Sequence, residues 1–269
     1  MPRIAGMASS RPAARRSRPV RPGPGRPRKG EARAAAGVAL GRERILRAAL
    51  ALIDAQGLAA FNIRALAASL GVAPAALYWH VPNREALVSG VIALALEGVA
   101  AAVPADGAPG WQARLRALLV AFRAALRAHP HLAPVVASEL AYNAAFDAPL
   151  LEHIVVALEQ ARFEGEGLVD AFNVVVAALC GFATLELSTA PSGAGEAWAE
   201  ACRAQIDAVD AARHPHLAGR LDALRNRAFL LRWTDGRTQP LDGGFEAWID
   251  VLLRGLEARS RALRRGARG

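Results

Sequence analysis

From Arg42 onward the apolar positions recur at helical spacing: Ile45, Ala49, Leu52 and Ile53 fall at i, i+4, i+7 and i+8, one face of a helix. Gly57 stands where a left-handed C-terminal cap is needed. Asn62 then reads as the N-cap of a short helix that turns Ile63, Leu66, Ala67 and Leu70 inward. Gly71 makes a turn, and Pro74 occupies a first-turn position where its missing N–H does no harm. Leu77, Tyr78 and Val81 follow on a third short helix. Pro82 and Asn83 end it, and Asn83 caps a long fourth helix running to roughly Val103.

Pro104–Gly110 is a linker of Pro, Gly, Ala and Asp. Beyond it the pattern predicts helices near 111–128, 131–140, 143–163, 166–189, 196–212, 217–232 and 245–264. Ala190–Gly195 is a Gly/Pro loop, and Thr234–Gly244 is a further break ending in the Gly243–Gly244 pair. No long stretch alternates apolar and polar residues as a half-buried strand would. The chain is therefore expected to be all-α.

Composition sharpens this picture. Hydrophobic residues make up 53% and aromatics only 6%, so the core material is mostly the helix formers Ala and Leu, with Val. The net charge of +9 is not spread evenly, because residues 1–41 hold nine Arg and Lys29 against Glu31 alone. The remaining chain balances to zero. This Pro/Arg/Gly/Ala-rich arm cannot bury enough apolar surface to order itself, and its charge points to a polyanion. Met7 is an alternative start. Cys180 and Cys202 have no paired spacing, so they make no disulfide framework and suit a reduced, cytoplasmic setting as small buried hydrophobes. Pro and Arg interrupt the N-terminus before a secretory h-region can form. The longest charge-free apolar run, Val174 to Leu185, is too short to span a bilayer.

Two short helices joined by a Gly turn, with a third in support, make a helix-turn-helix unit. That pattern alone also fits an ordinary three-helix subdomain. The residues are more specific than the geometry. Phe61 to Leu87, FNIRALAASLGVAPAALYWHVPNREAL, resembles the DNA-binding domain of the tetracycline-repressor (TetR) family, above all in LYWHV at Leu77–Val81. The likeness runs from Arg42 to roughly Val103 and continues more weakly in Trp111–His129 and Phe229–Leu256.

The resemblance implies a basic arm at 1–41, a DNA-binding domain at 42–92 and a helical effector-binding and dimerisation domain at 93–269. It assigns DNA contacts to Asn62, Arg64, Pro74, Ala75, Ala76, Tyr78, Trp79, His80, Asn83 and Arg84. Arg64 suits a guanine edge or a phosphate, and Tyr78, Trp79 and His80 the backbone. Trp79 is equally suited to packing, since aromatics usually supply core area. Pro74-Ala75-Ala76 offers methyl groups but no hydrogen bonds to bases, so side-chain readout rests on few residues. Arg26, Arg28 and Lys29 flank a Gly-Arg-Pro core that resembles an AT-hook lying in a narrow minor groove; a solvated basic tail is the alternative.

The resemblance further implies a homodimer and a small-molecule effector site at Leu118, Phe122, Val136, Glu139, Leu140 and Asn143. Val136 stands where the tetracycline repressor has its magnesium-binding histidine, so no metal or other cofactor is expected, and an apolar or amphipathic effector is. Val174–Leu185 and the segment carrying Phe245, Trp248, Ile249, Leu252, Leu253 and Leu256 are the interface candidates, with burial in the chain's own core as the alternative.

An enzyme is disfavoured. The pairs His129/His131 and His214/His216 are spaced i, i+2, on different helix faces, and no HExxH, CxxC, GxSxG or GxxxxGK[ST] occurs. An architectural DNA-binding protein that leans on the arm is the second rival. A membrane role for the arm is weaker, since it has no apolar face to insert. The reading is thus a cytoplasmic regulator that binds a near-palindromic operator as a homodimer and is released by a small effector. Repression is the expected sense, with activation left open.

Overall fold

Twelve α-helices and no strand make up the described residues of the computed structural model, which are 40–103, 110–141, 147–188, 194–229, 231–232, 238 and 240–266. The arm, with Arg26, Arg28 and Lys29, lies outside the described residues, as does Asn143.

Helix α1 (Arg42–Gln56) buries Ile45, Leu46, Ala49 and Ile53. Gly57 ends it with its N–H on the Ile53 carbonyl at 2.8 Å. Its φ of 83° is positive as expected, but ψ is 157°, so this is an extended exit and not a left-handed helical cap. Helix α2 (Ile63–Leu70) buries Leu66 and Ala67 and closes at Gly71, which does adopt the left-handed cap at φ 68°, ψ 30°. There the Val72 N–H reaches the Ala67 carbonyl at 3.0 Å and the Gly71 N–H the Ala68 carbonyl at 3.1 Å, the paired bonds of a Schellman end. Helix α3 (Pro74–Tyr78) has Pro74 in its first turn and buries Leu77.

Helix α4 (Arg84–Leu96) is shorter than its apolar sequence predicts. Glu97 leaves helical geometry at ψ 127° and Gly98 takes φ +92°, after which Ala100–Ala102 form only a 3-10 turn. The glycine lets the chain turn without a change in hydropathy, so periodicity runs past the break.

Helix α5 (Trp111–Ala128) has the expected bounds, and a 3-10 turn at Pro130–Leu132 leads into α6 (Ala133–Ala141). Helix α7 (Ala148–Gln160) starts where the Asp147 carboxylate accepts from the Leu150 N–H at 3.1 Å, and ends before Arg162, whose φ is +68°. Helix α8 spans Gly165–Leu187 and α9 spans Glu196–Asp207. The helix expected over 217–232 is not formed. Two single-turn helices, α10 (Pro215–Ala218) and α11 (Leu221–Leu224), replace it, separated at Gly219 and followed by Asn226 at φ +51°. Helix α12 (Asp242–Gly266) begins earlier than expected and takes in Gly243 and Gly244. First-turn N–H groups have no intrahelical partner to lose, so glycines are tolerated there.

The core centres on α5, which packs on α7 and α8 through the fully buried Leu115, Leu118, Phe122 and Leu126. Buried side chains of this size each contribute roughly 1.5–3 kcal/mol. Helices α1 and α4 sit against the corner between α5 and α6. There His129 Nδ1 meets the Asp54 carboxylate at 2.9 Å, and Ser89 Oγ donates to Glu139 Oε2 at 2.6 Å. Trp248 is half-buried in a cluster with Phe182, Phe229 and Phe245, while Ile249, Leu253 and Leu256 face inward. Burial pushes the Cys180 thiol up to about 11, which leaves it unreactive in this core position.

Helix α8 has 23 residues, an 18-residue window of which has a mean hydropathy of 2.0, so by length and composition alone it is apolar enough to cross a membrane. Only a third of that window is buried. Val174 and Leu185 stay about half exposed, on a stripe with Ala177, Ala178 and Gly181.

Candidate nucleic-acid interface

The three-helix head is built from its caps inward. Asn62 Oδ1 accepts from the Ala65 N–H at 2.9 Å and Asn83 Oδ1 from the Ala86 N–H at 2.7 Å, so both asparagines start their helices as the sequence predicts. Leu66, Ala67, Leu77 and Val81 are buried together with Phe61, Ile45 and Ile53. Asn83→Ala is expected to destabilise the protein by about 1 kcal/mol, and Asn83→Gly by only about 0.3 kcal/mol, in urea unfolding. Equal losses for the two would argue against capping as the cause.

Burial of Leu77 and Val81, four residues apart, turns the residues between them outward. Trp79 is 89% exposed and Tyr78 48%, so packing within the chain does not account for Trp79. His80, Pro74 and Ala75 are exposed as well, and Ala76 is half-buried. Arg64, on the first turn of α2, is exposed and forms no ion pair among the described residues. Arg84 opens α4 and its guanidinium donates to the Leu58 carbonyl at 3.4 Å. The result is a surface of aromatic rings, two exposed cations and small methyl groups around a two-helix corner. It can offer cationic and aromatic groups to a phosphate backbone, and Arg64 to a base edge.

The residues expected to meet an effector are placed differently from one another. Leu118, Phe122 and Val136 are fully buried, Leu140 is half-buried, and Glu139 is engaged by Ser89. A separate open cleft of about 1050 Å³ lies between α1, α4 and α7, walled by Leu46, Ala93, Leu94, Val103, Pro149 and His153 among others. Neither His153 nor Arg114, which holds it, was singled out by sequence reasoning. The available signal was that Arg114 falls one turn before Leu118 on the apolar stripe of α5.

Comparison with known proteins agrees with this construction. Residues 45–91 match the family described as bacterial regulatory proteins, tetR family, and residues 103–260 the tetracyclin repressor-like C-terminal domain. The chain is 41% identical over 91 residues to the class D tetracycline repressor protein of Escherichia coli, a match covering 32% of this chain and 40% of that repressor. A possible TetR family transcriptional regulator from Streptomyces coelicolor A3(2) superposes with a TM-score of 0.64 at 28% identity, over 81% of this chain and 98% of that one. BioQ, solved with its natural double-stranded DNA operator, superposes with a TM-score of 0.50 at 25% identity, over 55% of this chain and 87% of that one.

Proposed function

Because the chain belongs to the TetR family of bacterial regulatory proteins, we propose that it is a cytoplasmic transcriptional repressor that binds a near-palindromic operator as a homodimer and releases it when a small apolar or amphipathic molecule binds. The observation that carries this reading is the exposed Trp79, Tyr78 and Arg64 surface on a correctly capped helix-turn-helix. Residues 42–92 read DNA and 93–269 sense the effector, while Arg26, Arg28 and Lys29 add phosphate or minor-groove contacts. The chain regulates and catalyses no reaction; turnover of a bound ligand would overturn that clause.

Release follows from how the two halves touch. Ser89 of α4 and Glu139 of α6 share a hydrogen bond of 2.6 Å, so a ligand that displaces Glu139 changes what holds α4. A ligand reaching Leu118, Phe122 or Val136 must first open a packed core. Either way it acts only as far as it prefers one arrangement over the other.

Fluorescence anisotropy on the chain's own upstream DNA, with excess random duplex as competitor, tests the proposal. Binding is expected to survive the competitor, and Arg64→Ala to weaken it by about 10- to 100-fold on that DNA with little change on random duplex. Binding that random duplex removes, and that Arg64→Ala does not alter, would support the architectural alternative.

A further inference from the structure

Several arginines of the C-terminal helices stand beside a carboxylate: Arg116, Arg123, Arg127, Arg225 and Arg259 each have one within 3.7 Å. Arg162 and Arg264 do not. Their guanidinium groups have no ion pair or hydrogen bond among the described residues, yet both line one pocket of about 310 Å³ together with Trp111, Gln160, Glu257 and Arg261. Glu257 is taken by Arg261 at 2.6 Å, so that pair is neutral. The pocket is left with two positive charges and no counter-charge, and a concave wall of one sign concentrates anions from solution.

This pocket lies where the start of α5, the end of α7 and the last turns of α12 meet. Its floor is fixed. Ser260 is 1% exposed and donates to the Ala161 carbonyl, which seats α12 on the end of α7. Glu257, Ser260, Arg261 and Arg264 recur at i, i+3, i+4 and i+7, so one face of α12 forms a wall. Arg162 closes α7 at φ +68°. Its N–H reaches the Glu159 carbonyl at 2.8 Å and the Phe163 N–H the Leu158 carbonyl at 3.0 Å, the paired bonds of a helix end where glycine is usual. The chain thus carries a cation at a backbone position that glycine would adopt without strain. Trp111 is half-buried and adds an aromatic wall.

We propose that this pocket binds a small molecule carrying a phosphate monoester, the phosphate between Arg162 and Arg264 and the organic part against Trp111. A guanidinium fork meets phosphate oxygens two at a time, and a dianion balances the two unpaired charges. Gln160 and the Arg261–Glu257 pair offer further polar groups to a hydrated head. The site is remote from the DNA-facing surface. Trp111 and Ala128 are the two ends of α5, about 25 Å apart at the helical rise, and it is the far end, at His129, that meets α1. The site is also separate from the Leu118, Phe122 and Val136 cluster, and its occupancy does not rest on the repressor reading.

The test is isothermal titration of the full chain, without DNA, at about pH 8, where a phosphate monoester is doubly charged. The probes are phenyl phosphate, phenyl sulfate and inorganic phosphate. Phenyl phosphate is expected to bind about tenfold or more tightly than phenyl sulfate, which has the same shape and one charge fewer. Arg162→Gly should weaken phenyl phosphate by about tenfold or more and leave thermal unfolding unimpaired, since glycine favours that backbone. Arg264→Gln should weaken it similarly. Arg265→Gln, at an exposed arginine on the same turn but outside the pocket, should leave the affinity unchanged. No binding of phenyl phosphate by the natural chain, or unchanged affinity in Arg162→Gly, would overturn the site. An equal loss in Arg265→Gln would overturn it too, because the attraction would then be diffuse. Equal affinity for phenyl sulfate would overturn the dianion assignment, and equal affinity for inorganic phosphate the role of Trp111. Displacement of phenyl phosphate by random duplex DNA would make a nucleic-acid backbone the occupant and overturn the small-molecule assignment.

Discussion

Glu186→Gln is expected to destabilise the fold by roughly 3–5 kcal/mol, the range seen when one partner of a buried ion pair is removed. Glu186 has no exposed surface, and its carboxylate accepts from Arg123 Nε at 2.7 Å, Arg123 Nη2 at 2.6 Å and the Leu241 N–H at 2.7 Å. Arg123 Nη2 also reaches Asp242 at 2.7 Å, and its guanidinium carbon lies 4.4 Å from the centre of the Phe245 ring. One charge cluster therefore joins α5, α8 and the start of α12. A neutral amide leaves Arg123 facing only Asp242, which is largely solvent-exposed and screened. Urea unfolding reads the loss, and a loss under about 1 kcal/mol would mean that the cluster is well solvated. Replacing both Arg123 and Glu186 by leucine should recover much of it, since no charge is then buried alone.

The same cluster sets a pH dependence. Burial by itself would push the Glu186 carboxyl up, but hydrogen bonds from Arg123 and Leu241 and the charges of Arg123 and Arg127 hold it below the usual carboxylate range. Asp242 is lowered as well, chiefly by the hydrogen bond from Arg123. Folded values below the unfolded ones place the stabilisation above the unfolded carboxylate range, and it is lost as pH falls through the folded values. Acid unfolding of the natural chain should steepen below about pH 4.5. Glu186→Gln should flatten that limb.

The head was legible in the sequence because short helices announce their ends. Asn62, Gly71, Pro74 and Asn83 each do at the ends of α2, α3 and α4 what their chemistry favours. The outward turn of Trp79 was not decided by the sequence, where the ring was equally suited to packing; the burial of Leu77 and Val81 on either side of it settles the matter. Where the sequence misled, hydropathy did not change at the break. Ala95 to Val103 stays apolar apart from the exposed Glu97 while Gly98 takes a positive φ, and Leu217 to Leu231 keeps helical spacing across Gly219. The charges inside the core were not readable. Arg123 meets Glu186 and Asp242 across 63 and 119 residues of chain, and no local pattern encodes such a meeting.

Leu185→Glu is expected to convert the protein to a monomer in sedimentation equilibrium and to weaken operator binding by about 100-fold or more, with thermal stability nearly unchanged. Leu185 is 53% exposed and Val174 47%, so neither contributes much to the chain's own core. Val174, Ala177, Ala178, Gly181 and Leu185 recur along α8 at i, i+3, i+4, i+7 and i+11, a continuous apolar stripe of mostly small residues. Val251 of α12, the helix packed on α8, is also exposed, at 72%. A second copy covers such a stripe by symmetry, whereas a charge on it would be repeated on both chains and desolvated twice. The loss on DNA is argued from geometry. In the proposed operator complex one α3 helix would enter one major groove, and the affinity of the pair would come from two half-sites held about one helical turn apart. Uncoupled heads bind each half-site alone and lose the effective concentration that the dimer supplies. A Leu185→Glu protein that stays dimeric would move the interface off α8. One that becomes monomeric yet keeps its operator affinity would mean that a single head with its basic arm is sufficient for DNA binding.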